Sequence, residues 1–144
     1  MKLLIAIAFI LCSCSLKTKV IRCIDGDTIV TENNIHIRLY GIDAPERNQD
    51  GGIEAKEHLS SLVLNKTVEV EKVAKDRYGR EVCRLYRNGA YINELMIISG
   101  NAWAYKKFSS AKLHNEELEA QRKKIGLWSR PNIPPFIFRQ RHKH

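Results

Sequence analysis

Long apolar runs are missing from this sequence of 144 residues. The longest, Leu3 to Leu11, is too short to cross a bilayer as a permanent helix. A protein built on membrane-spanning helices is thereby excluded, though a membrane anchor is not. Internal repeats and low-complexity tracts are also absent. With 44% hydrophobic and 28% charged residues, that excludes collagen, a disordered chain and an acidic solvating chain. The length holds one domain. No CxxC and no Cys/His spacing occurs among the four cysteines and five histidines, so a metal held by thiolate is disfavoured. Acidic residues are few, 16 against 24 Lys and Arg, and their scarcity is local. Residues 101–144 hold ten basic side chains against three acids. A basic C-terminal third implies a polyanionic partner, nucleic acid or an acidic membrane surface.

Met1-Lys2 followed by Leu3 to Leu11 has the charge and length of a secretory leader. A buried first strand or helix is the poorer reading, because the run lacks polar alternation and stops at Cys12-Ser13-Cys14-Ser15. Leu11-Cys12-Ser13-Cys14 resembles the bacterial lipobox, which implies residues 1–13 as signal peptide and Cys14 as the lipidated first residue of an exported, membrane-anchored protein on the periplasmic or cell-surface side, or a secreted one. Residues 14–19 then read as a linker, 20–131 as the domain and 132–144 as an irregular basic tail. Neutralising Arg139, Arg141 and Lys143 in that tail should weaken nucleic-acid binding and its salt dependence. Cys23 and Cys83 stay in the folded body, where an oxidising compartment permits a disulfide but strand-like apolar surroundings suit buried thiols equally.

Val20 to Asp25, Thr28 to Thr31, Ile35 to Tyr40, Lys66 to Val73 and Glu81 to Tyr86 read as five strands divided by Gly, Asn and Asp turns. Ala55, Leu59, Leu62 and Val63 share one face of a helix ending near Asn65. Ile92 to Ile98 forms a second helix, and a third starts after Ser109 or Ser110 and runs to Ile125. Five short strands, a helix between the third and fourth, and two helices after the fifth predict an α+β protein. Its core is a five-stranded Greek-key barrel of OB-fold type with about three helices, a fold whose barrel face commonly binds oligonucleotides.

Asp25-Gly26-Asp27-Thr28 alone is a hairpin turn. The next strand, however, ends in Gly41-Ile42-Asp43-Ala44-Pro45-Glu46, with two more carboxylates on a proline-stiffened backbone. An oxygen-only cluster suits a hard cation such as Ca²⁺ or Mg²⁺. Arg38 stands five residues before Asp43, and Arg80 follows the turn Asp76-Arg77-Tyr78-Gly79. Salt bridges to the acids are one reading of these arginines; phosphate held in guanidinium forks is the other. Trp103 and Trp128 read as large apolar residues pinning the C-terminal helices to the barrel.

Ile24 to Thr28, Ile37 to Glu46, Asp76 to Arg80, Gly100 to Tyr105 and Ile125 to Ser129, in that order and spacing, resemble the staphylococcal (micrococcal) nuclease family over about Val20 to Pro131. The resemblance implies a Ca²⁺-dependent nuclease cutting DNA and RNA to 3′-phosphate products as a monomer. By position, Asp27, Asp43 and the Ala44 carbonyl match the metal ligands, and Asp25 matches the acid acting through the metal's water shell. Glu46 matches the general base, Arg38 and Arg80 the phosphate clamp, and Tyr78 a tyrosine near the nucleotide. The loop after Glu46 is shorter than in the staphylococcal enzyme, and the paired base-stacking tyrosines lack a clean match; Tyr105 or Phe108 are the candidates. A catalytically inactive nucleic-acid-binding lipoprotein is the alternative function.

Overall fold

The structure, a computed structural model, describes residues 15–142; the leader segment and Cys14 lie outside them. Five strands close a barrel: β1 (Leu16–Cys23), β2 (Thr28–Thr31), β3 (His36–Leu39), β5 (Thr67–Lys75) and β6 (Glu81–Arg87). They run in the order β3-β2-β1-β5-β6, and parallel pairing of β3 with β6 seals the seam. Ile37 and Leu39 point into the core, as their alternation predicts. A two-residue β4 (Ile42–Asp43) pairs with β8 (Trp103–Ala104), while β7 (Ala90–Tyr91) extends the sheet beside β6. The helices are α1 (Gly52–Val63), α2 (Ile92–Ile98), α3 (Ala111–Arg122) and α4 (Pro135–Arg141), with a short 3₁₀ turn at Gly126–Ser129.

Two expectations are corrected. Residues 16–19 are no linker but the first half of β1, pairing Leu16 with Val70 through Lys19 with Thr67. Leu-Lys-Thr-Lys has little apolar signal because this half-strand is held mainly by backbone bonds, with Thr18 alone buried among the four. Residues 132–144 are not irregular throughout, since α4 begins at Pro135, where a missing N–H costs a helix nothing.

Ala55, Leu59 and Val63 of α1 are buried in the core, and Asn65 leaves the helix in the left-handed region at φ 60°. The Ser110 hydroxyl caps α3 by accepting from the Leu113 N–H. Trp103 and Trp128 meet edge to face at 5.1 Å, joining β8 to the segment after α3. Among the described residues Cys23 and Cys83 are buried thiols not joined to each other, and burial pushes Cys83 up to about 11.

One buried polar side chain ties the helices to the mouth of the barrel. Asn93 of α2 donates to the carbonyls of Tyr40 and Cys83 and accepts from the Leu85 N–H. It thereby fixes the end of β3, just before the site. Asn93→Ala should cost roughly 1–3 kcal/mol for each buried group left unpaired, read as a lower thermal midpoint.

Candidate active site

The turn from β1 to β2 lies against α1 so closely that a Cβ on Gly26 would come within 2.6 Å of Ala55 and 2.7 Å of Ala44. Only glycine allows this approach without a shift, and it brings the Asp25–Asp27 turn over the β4 segment. There the Asp27 carboxylate accepts from the Ala44 N–H at 2.7 Å and from the Thr28 hydroxyl at 3.0 Å. The Asp27 N–H donates to Asp25 at 3.0 Å, setting two carboxylates side by side. Burial, reinforced by the Asp27 charge, pushes Asp25 up to about 7.

Arg38 leaves β3 between these acids. One terminal nitrogen donates to the Leu39 carbonyl and lies 3.2 Å from Asp27, and the other donates to Asp43 at 3.2 Å. Asp43 is only 3% exposed. Burial raises its pKa, and a bond from Arg139 is the strongest pull in the opposite direction. Arg80 projects from the β5–β6 turn, organised by Asp76, which accepts from the Tyr78 and Arg80 N–H groups and from the Arg80 side chain at 2.7 Å.

One cavity of about 740 Å³ collects Asp25, Asp27, Asp43, Glu46, Arg38 and Arg80. Ala44, Tyr78 and Tyr105 line it too, so every site residue named from the sequence within residues 15–142 meets at one place. The aromatics stand at its rim. Tyr78 is largely exposed with the Arg77 guanidinium 4.9 Å over its ring, and Tyr105 lies 5.5 Å from Phe108, which in turn lies 6.3 Å from Tyr40. Rings beside Arg84, 5.0 Å over Tyr40, and Lys107, 5.2 Å over Phe108, suit nucleobases next to phosphates.

Two residues were missed. Gln49 is buried in the loop after Glu46, where it accepts from the Glu46 N–H at 3.1 Å and donates to the Ile133 carbonyl at 2.7 Å. Arg139 of α4 was read as a tail charge, yet it donates to both Asp43 oxygens at 3.2 and 3.0 Å and to Glu46 at 2.8 Å. The signal available in the sequence was Pro134-Pro135, an opening for a helix that would carry Arg139.

The donors around the cavity are oxygens, and both core thiols lie elsewhere, which fits a hard cation. Among the described residues no three acids already converge as a ligand set. Arg38 and Arg139 stand between them.

An OB-type barrel with acids, arginines and aromatic rings at one mouth is a class of site suited to nucleic-acid phosphates and bases. A family model described as staphylococcal nuclease homologue matches residues 36–130, and the chain belongs to that family. It is 40% identical over 129 residues to an uncharacterized endonuclease of Escherichia coli O157:H7, covering 85% of this chain and 84% of the relative. It is 37% identical over 142 residues to a micrococcal nuclease of Shigella flexneri, covering 88% and 82%. With an uncharacterized endonuclease of Haemophilus influenzae the identity is 39% over 149 residues, covering 97% and 84%. Nuclease activity, a hydrolase function, is what this kinship supports.

Proposed function

We propose that the protein is a Ca²⁺-dependent phosphodiesterase that hydrolyses DNA and RNA to 3′-phosphate products, exported as a monomer and tethered through Cys14. The observation that carries the reading is one cavity uniting Asp25, Asp27, Asp43 and Glu46 with Arg38 and Arg80. Asp27, Asp43 and the Ala44 carbonyl would hold the cation, with Asp25 acting through water. When bound, that ion supplies positive charge at the phosphate and orients the attacking water.

The chain's own residues supply the rest. Glu46, at the end of the Pro45-stiffened segment and steadied by Gln49, takes the proton from the water. Arg38 and Arg80 donate to the phosphate oxygens as negative charge grows on them, commonly the largest catalytic effect. Arg38 spends only part of its five N–H donors on Asp27, Asp43 and Leu39. The rim aromatics receive bases without demanding one sequence.

Plasmid DNA and single-stranded RNA incubated with the purified protein should be cut with Ca²⁺ and left intact with chelator, and the ends should lose phosphate to a 3′-phosphatase. No cleavage under either condition would leave a binding module instead. Ca²⁺ at about a hundred times its Kd should add about 2.7 kcal/mol of stability, visible as a higher thermal midpoint. Asp27→Asn and Asp43→Asn should each remove most of that shift, because a neutral amide replaces a charged ligand. Cys14→Ala should move the protein from the membrane fraction to the soluble one, checked by fractionation.

A further inference from the structure

Three of the hydrogen bonds at the acid cluster come from a residue outside the part of the chain matched by the family model. Arg139 grips both oxygens of Asp43 and one oxygen of Glu46. Its approach is built into the fold. Gln49 joins the Glu46 N–H to the Ile133 carbonyl, so one buried amide ties the acid-bearing loop to the segment leading into α4. Arg130 holds the start of that segment with a two-pronged pair to Asp50 at 2.8 and 2.9 Å. Pro135 is buried and opens the helix. Arg139 is therefore delivered to the acids by a moored helix.

The two arginines on Asp43 differ in how firmly they are held. The Arg38 side chain is 17% exposed and also bonded to Asp27 and Leu39. That of Arg139 is 41% exposed and, among the described residues, bonded only to Asp43 and Glu46. Of the pair, Arg139 is the more exposed and has fewer partners, so it is the one placed to swing into water. Its guanidinium places a positive charge on the carboxylates that the reading above assigns to a divalent cation and to the base.

We propose that Arg139 is an internal counter-cation that competes with the divalent ion for Asp43 and Glu46, so that cation binding requires Arg139 to leave them. The inference rests on the assignment of Asp43 as a metal ligand. Seated, Arg139 cancels acid repulsion and occupies Glu46; displaced, it frees both carboxylates. The apparent cation affinity is then the intrinsic affinity multiplied by the fraction of molecules with Arg139 out.

Calorimetric titration of the full chain with Ca²⁺ tests this without reference to turnover. Arg139→Gln should tighten Ca²⁺ binding on the order of tenfold, since the competitor is removed. Arg139→Lys keeps the charge but not the two-pronged grip and should fall between. Asp27→Asn is titrated alongside: if it weakens binding while Arg139→Gln leaves affinity unchanged or weaker, the metal site stands and the competition is overturned. If neither the parent nor Arg139→Gln binds Ca²⁺, the metal assignment and the competition fall together. Binding by Arg139→Gln alone would support the competition strongly. If Arg139→Gln instead weakens oligonucleotide binding at unaltered Ca²⁺ affinity, Arg139 contacts substrate and the proposal is overturned. A thermal melt of each variant establishes that it is folded before titration.

Discussion

Glu46→Gln is expected to lower turnover by about a hundredfold to ten-thousandfold while leaving Ca²⁺ affinity close to that of the parent. The substitution keeps the size and hydrogen-bonding reach of the side chain and removes its ability to take a proton. Its backbone anchor is untouched, because Gln49 holds the residue through the main-chain N–H. The amide oxygen that replaces the carboxylate can still accept from Arg139, so the seating of Arg139 on Asp43 should change little. Single-turnover cleavage at saturating Ca²⁺, with affinity measured separately, checks the prediction. Full activity in Glu46→Gln would remove Glu46 from the role of base.

Arg38→Lys and Arg80→Lys should each reduce turnover by roughly a hundredfold to a thousandfold, the range for deleting one preorganised donor to developing charge. Charge is conserved in both; what disappears is the planar fork that matches phosphate oxygens. The structure separates the two cases. Arg38 bridges Asp27, Asp43 and the Leu39 carbonyl, three partners that one ammonium cannot span, so Arg38→Lys should also lower the thermal midpoint. Arg80 is organised by Asp76 at the exposed β5–β6 turn, and Arg80→Lys should leave stability nearly unchanged. Comparing kcat with substrate affinity for each variant distinguishes a group acting on the transition state from one that binds the ground state equally. If Arg80→Lys keeps full turnover, Arg80 is not part of the clamp.

The barrel was legible where side chains alternate. Ile37 and Leu39 mark an inner face by themselves, and Ala55, Leu59 and Val63 mark a helix stripe. The acids and arginines were legible because Gly26, Pro45 and the Asp76–Gly79 turn constrain the backbone where they sit. Legibility failed where main-chain bonds or remote partners decide the outcome. The first half of β1 is specified by pairing with β5 rather than by its own residues. Gln49 and Asn93 are polar residues buried by what they bridge across long sequence separations, and neither carries a local pattern. Arg139 belonged visibly to a basic tail, but its partner Asp43 lies 96 positions earlier. Only the folded chain connects them.

The seam between β3 and β6 also bears on how the molecule comes to be active. Arg38 pairs across it with Val82, two positions beyond Arg80, so the two arginines proposed as the clamp meet at the closure itself. These partners are distant in sequence, and such pairings pay their loop-closure entropy before they gain contacts, which slows folding. Until the seam forms, Arg38 on β3 and Arg80 on the β5–β6 turn belong to separate pieces of chain, and the proposed clamp cannot close on one phosphate. On the proposed roles of Arg38 and Arg80, a newly made or partly folded chain is thus without a working clamp, and catalytic competence is acquired together with the finished barrel.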